Sequence, residues 1–143
     1  MNPWSLKVGD AIPSSFSLGP ITRTEVVRYQ GASGDFQPIH HDETFARAAG
    51  YEAPLVIGMY PAAALTTWAA ELFGPTTVRE TRIRWNAMVW PGDTLEGQGT
   101  IRSSEDGARW VDLILTRNND ETVLTCAMHF VHPPKSSSKV DHD

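Results

Sequence analysis

The sequence predicts an α+β fold in which a curled antiparallel β-sheet wraps around one long central apolar helix. Three observations predict it. Residues 58–73 run Gly-Met-Tyr-Pro-Ala-Ala-Ala-Leu-Thr-Thr-Trp-Ala-Ala-Glu-Leu-Phe, with Glu71 their only charge, and stop at Gly74-Pro75. A helix that is apolar on nearly every face has to be covered by other structure. Residues 77–131 hold four runs rich in β-branched and aromatic residues, separated by turn signals. The connections between those runs are short, which favours antiparallel neighbours.

The 143 residues, 41% hydrophobic and 20% charged, fit a single globular domain over residues 1–132. Residues 133–143, with Ser136-Ser137-Ser138 and no apolar stripe, read as a disordered tail. A net charge of −5 argues against nucleic acid or an anionic membrane as the main partner, since both want a basic face. No apolar run approaches the roughly 20 residues that span a bilayer. Met1 to Asp10 lacks the apolar core of a secretory signal, which leaves the cytoplasm as the expected compartment. The single cysteine, Cys126, excludes an internal disulfide framework and alternates with Leu124 and Met128 as a core residue.

In chain order, residues 1–15 form a lead-in segment, and Phe16, Leu18 and Ile21 suit a short strand interrupted by Gly19-Pro20. Thr22 or Thr24 caps a helix whose first turn carries Glu25. Val26 and Tyr29 give that helix an apolar side, Val27 widens it, and it stops near Gly31 to Gly34. Asp42-Glu43-Thr44-Phe45-Ala46 opens a short helix ending at Gly50. The long helix follows over 58–73, about 22 Å at roughly 1.5 Å per residue, with Pro61 in its first turn. Strands are expected over 77–90, 94–101, 110–116 and 122–131, the second weakened by Gly97 and Gly99. In the last, Thr122, Leu124, Cys126, Met128 and Phe130 share a face.

Between the first two helices lies Ser33-Gly34-Asp35-Phe36-Gln37-Pro38-Ile39-His40, which sets a carboxylate and an imidazole five positions apart. Gly34 frees the backbone and Pro38 biases Gln37 away from helical angles, so a pinned irregular loop can bring both side chains into one volume. Read alone, the stretch equally fits Asp35 as a helix cap and His40 as a surface residue. His40-His41-Asp42 lacks a second cluster at metal-ligand spacing, so no metal site is expected.

The block Ala32-Ser33-Gly34-Asp35-Phe36-Gln37-Pro38-Ile39-His40, with Asp42, Phe45, Ala46, Gly50-Tyr51, Pro54-Leu55-Val56 and Gly58-Met59, resembles the MaoC-like (R)-specific enoyl-CoA hydratase family. Val89-Trp90-Pro91-Gly92-Asp93 is a second, weaker match, and the resemblance covers roughly residues 8–132. It implies the hot-dog fold and reversible addition of water to a trans-2-enoyl thioester, giving an (R)-3-hydroxyacyl thioester. By the same resemblance Asp35 and His40 hold the water and exchange protons, with acid and base unassigned between them. No cofactor is implied, coenzyme A entering as part of the substrate. Gly58, at the amino end of the long helix, is expected to donate its N–H to the thioester oxygen, with Ile57 and Met59 beside the acyl group. Thr66 is expected to hydrogen-bond Asp35.

Three positions depart from the family's usual pattern: Gln37 stands for asparagine, Ile57 for histidine and Thr66 for serine. Gln37 and Ile57 bear on substrate identity more than on reaction type. Arg82 and Arg84 are candidates for the phosphates of coenzyme A, and Trp85 and Trp90 for packing or the wall of an acyl tunnel. The resemblance further implies a homodimer, or a heteromer with a related hot-dog chain. A hot-dog thioesterase is the alternative enzyme.

Overall fold

Helix α3, Met59–Phe73, is built on Ala62, Leu65, Ala69 and Phe73, which recur every three or four residues and are all buried. The computed structural model describes residues 1–118 and 120–132, so the tail beyond residue 132, including His142, lies outside the described residues. Before α3 come strand β1 (Phe16–Leu18), helix α1 (Arg23–Ser33) and helix α2 (Glu43–Ala48). After it come strands β2 (Val78–Trp85), β3 (Leu95–Glu105), β4 (Ala108–Arg117) and β5 (Glu121–Val131).

The five strands form one antiparallel sheet in the order β1-β3-β4-β5-β2. β3, β4 and β5 are a meander, whereas β2 crosses over to pair with β5 and so becomes an edge strand. Strand alternation puts Ile101, Val111 and Met128 on one face of the sheet, where they join Leu65, Ala69 and Phe73 of α3 in a single core. Gly97 and Gly99 do not weaken β3. A Cβ on Gly97 would lie 2.7 Å from Leu65 Cδ1 and 2.8 Å from Phe16 Cδ1, and one on Gly99 would lie 2.5 Å from Ile12 Cδ1. The missing side chains are the room that α3 and the lead-in segment fill.

α1 begins at Thr22 in a reciprocal capping box: Thr22 Oγ1 accepts from Glu25 N, and the Glu25 carboxylate accepts from Thr22 N. That Thr22 N–H, with help from Tyr60, holds the Glu25 carboxyl below the usual carboxylate range. Tyr60 Oη donates to Glu25 Oε1 at 3.0 Å, tying α1 to the first turn of α3. The buried side of α1 is Val26 and Gln30, one turn apart, so Val27 points outward at 55% exposure instead of widening the apolar side.

Two further expectations change. Residues 86–90 are not strand, because their backbone groups are engaged elsewhere: Asn86 and Ala87 donate to Val123 O, and Val89 O accepts from Val56 N. And α3 is not covered all round by its own chain, since Met59, Thr67 and Glu71 remain exposed.

Candidate functional site

The loop between α1 and α2 is set by its ends. α1 closes at Gly34, whose φ of 76° is left-handed and suits glycine, and the chain then leaves the helix through Asp35. Pro38 opens a single 3-10 turn, Pro38–His40, after which Asp42 Oδ1 caps α2 by accepting from Phe45 N. Asp35 stays local: its N–H donates to Ser33 Oγ at 3.2 Å, and its Oδ1 accepts from Gln37 N at 3.3 Å. Gln37 therefore touches Asp35 through its backbone, its own residue being exposed.

His40 is fixed from the other side. Its Nδ1 lies 2.9 Å from Leu55 O, while Leu55 N donates to Ile39 O at 3.0 Å, so two hydrogen bonds clamp the loop to the segment ahead of α3. A carbonyl only accepts, so Nδ1 carries the hydrogen and the neutral ring presents the lone pair of Nε2. That Nε2 faces Asp35 Oδ2 at 3.8 Å, with the imidazole 13% and the carboxylate 39% exposed. Two acceptors across such a gap can take both hydrogens of one small donor between them.

Gly58 sits at the amino end of α3, and its N–H donates to no acceptor among the described residues. Its carbonyl accepts from Trp85 Nε1 at 2.9 Å, so the indole lies against it. Met59 beside it is 44% exposed, and Ile57 is buried, its carbonyl taken by Tyr60 N.

Thr66 corrects the sequence reading. Its Oγ1 donates to the carbonyls of Ala62 and Ala63, at 3.0 and 3.2 Å, so the hydroxyl is engaged in its own helix and not with Asp35. What the reading missed is Gln30, whose carboxamide meets the backbone of Asp35 and Gln37 and the ring of His41. The sequence signal was a polar residue one turn after Val26 on the buried side of α1. Leu55 stands in the matching block, but its role was not legible because it acts through its carbonyl.

Arg82 and Arg84 lie on the sheet face opposite α3, where with Thr100, Arg102, Asp112 and Thr125 they line a groove of about 580 Å³. Arg82 is bonded to Glu80 and stacks 4.9 Å over Trp110, and Arg102 is bonded to Asp112. Trp90 and Tyr51 border a smaller cavity of about 450 Å³. Burial pushes the Cys126 thiol up to about 11, which leaves it protonated and inert in neutral solution. Among the described residues no three His, Cys, Asp or Glu side chains gather as a metal site, and no helix is long and apolar enough to cross a membrane.

Comparison with known proteins adds a second line. Over 90 residues the chain is 27% identical to a probable enoyl-CoA hydratase 2 of Dictyostelium discoideum, an alignment covering 61% of this chain and 31% of that protein. The chain thus spans about a third of the length of that relative. The R-hydratase PhaJ1 of Pseudomonas aeruginosa superposes with a TM-score of 0.80 at 19% identity, covering 92% of this chain and 86% of that one. A chain of the ChsH1-ChsH2 complex of Mycobacterium tuberculosis superposes at 0.78 and 21%, covering 89% and 98%. These likenesses show the hot-dog fold. The family model described as a MaoC-like domain matches residues 14–122, well over half of the chain, and the protein therefore belongs to the MaoC-like dehydratase family.

Proposed function

We propose that this chain is a hydro-lyase that adds water reversibly to a trans-2-enoyl-CoA thioester to give the (R)-3-hydroxyacyl thioester. The observation that carries the reading is the pair of acceptors, Asp35 Oδ2 and His40 Nε2, facing each other at 3.8 Å from separate anchors. A water donating one hydrogen to each is held with a lone pair pointing outward, which is the orientation addition to the β-carbon needs. As its oxygen bonds to that carbon, one of its protons passes to the pair, and the pair returns a proton to the α-carbon. Such groups contribute about 10²- to 10⁴-fold each.

Charge meanwhile collects on the thioester oxygen. The Gly58 N–H at the electropositive end of α3 suits that oxygen; Tyr60 N holds the Ile57 carbonyl of the same peptide, and Trp85 holds the carbonyl of the next one. Ile57 and Met59 flank the acyl group in this reading, and no cofactor is needed. The protein works as a homodimer, or beside a related hot-dog chain, in the cytoplasm.

The test is hydration of a panel of trans-2-enoyl-CoA esters, followed by loss of enoyl-thioester absorbance and chiral assignment of the product. Asp35→Asn or His40→Ala is expected to lower the rate by at least about 100-fold while leaving the fold intact. Unchanged turnover in either variant removes that residue from the chemistry. Release of free thiol from saturated acyl-CoA, with no hydration across the panel, replaces the reading by a thioesterase.

A further inference from the structure

We infer that Gln30 is the positioning residue of this site: its side-chain amide holds the Asp35 peptide in place, so that the carboxylate meets His40 at working distance. The inference rests on the hydratase reading of Asp35 and His40 and concerns a residue outside that pair.

Gln30 is 3% exposed, and Thr77 is the only other buried polar residue among those described. A buried carboxamide is costly unless its hydrogen bonds to water are replaced. Here they are replaced by the site itself. Gln30 Nε2 lies 3.1 Å from Asp35 O, 3.5 Å from Gln37 O and 3.0 Å from His41 Nδ1. The two carbonyls bracket Phe36, and the N–H of Gln37 is the one that bonds Asp35 Oδ1. One amide therefore grips the peptide group of the carboxylate-bearing residue and the residue that orients that carboxylate.

The amide has two hydrogens for three acceptors, and His41 decides how they are shared. With Nδ1 unprotonated, the ring takes one N–H and leaves the other to Asp35 O. With Nδ1 carrying a hydrogen, it donates instead to Gln30 Oε1, 3.2 Å away, and both N–H groups are free for the backbone carbonyls.

The two reacting side chains share the loop, with Gln37 O accepting from His40 N, but they are held to the rest of the fold at different points. His40 hangs on Leu55 O, ahead of α3, whereas Asp35 hangs on Gln30 in α1. Their separation also depends on how α1 sits against α3, which are joined by the Tyr60–Glu25 bond and by the Tyr29 and Tyr60 rings, 5.3 Å apart. Loosening Gln30 should let the carboxylate drift while the imidazole stays.

Gln30→Met keeps the length and the burial and removes both polar ends. For enoyl-CoA hydration its kcat is expected to fall about 10- to 100-fold, the scale of a misplacement near 1 Å, with KM within threefold. In an Asp35→Asn background the same change is expected to cost less than about threefold, because the group it positions is already disabled. Equal losses in both backgrounds, or an effect on KM alone, overturn the inference as a general structural defect. Should Gln30→Met fail to fold, Gln30→Asn, one methylene shorter, carries the same expectation at about 5- to 20-fold. A second measurement needs no substrate. At fixed pH the His40 ring resonance is expected to move in Gln30→Met, although Gln30 makes its hydrogen bonds to Asp35, Gln37 and His41, and an unmoved resonance overturns the clamp. If the wild-type chain hydrates no enoyl-CoA, the hydratase reading fails and that spectrum alone decides the role of Gln30.

Discussion

Gly58 has φ −56° and ψ −32°, ordinary helical angles that any residue adopts, so its lack of a side chain is not required by the backbone. Space requires it. A Cβ there would lie 3.1 Å from Trp85 Nε1 and 3.3 Å from Cδ1, and the indole would have to give by a few tenths of an ångström. The indole is 48% exposed and free to do so, which makes Gly58→Ala a mild change for folding. It is not mild for the proposed chemistry, because the displaced Trp85 releases the Gly58 carbonyl and loosens the residue whose N–H faces the thioester oxygen, while the new methyl narrows the space beside it. Gly58→Ala is expected to lower kcat about tenfold or more with Tm nearly unchanged, read by hydration kinetics beside thermal melting. Wild-type kcat in this variant would take Gly58 out of the oxyanion role.

At the scale of elements, β3 shows how a local rule is overruled by packing. Alanine suits a strand better than glycine, yet Gly97→Ala would set a Cβ against Leu65 of α3 and Phe16 of β1 at once. We expect a loss of about 1–3 kcal/mol, the range for overpacking a filled core, measured by denaturant unfolding. A neutral or stabilising result would mean that α3 can shift away from the sheet. Elements with a local cause were legible in the sequence: α1 from Thr22 and Glu25, α3 from its apolar run and Gly74, and the loop from Gly34 and Pro38. So was the approach of Asp35 to His40. What escaped notice is fixed at a distance. Residues 86–90 read as strand until their carbonyls are seen serving Val56 and Arg117. Thr66 read as a partner for Asp35 because spacing does not reveal that its hydroxyl folds back on Ala62. Gln30 carried a signal, but its partners are mostly main-chain atoms that no residue pattern announces.

For the whole molecule, the unfinished surfaces coincide. β2 is an edge strand, with Thr81, Arg82, Arg84 and Trp85 exposed along it. Met59 and Trp85 flank Gly58, both more than 40% exposed, and the uncovered side of α3 continues through Thr67. An edge of eight residues whose outward side no other strand pairs is a template for another strand, and charges on one face only partly discourage it. A second copy pairing along β2 would satisfy those groups, cover the exposed side of α3 and wall the proposed acyl site, which explains why a helix so apolar is left half wrapped by its own chain. The purified protein is accordingly expected to run at twice the 15.8 kDa chain mass in light scattering, and its hydratase activity per chain to fall on dilution below the dimer's dissociation range. A chain that is monomeric and inert alone, but gains activity on mixing with a second hot-dog chain, assigns the same edge to a heteromer. A species of 15.8 kDa with full activity at every dilution would show that the edge and the half-covered helix need no partner, and the pairing would have to be abandoned.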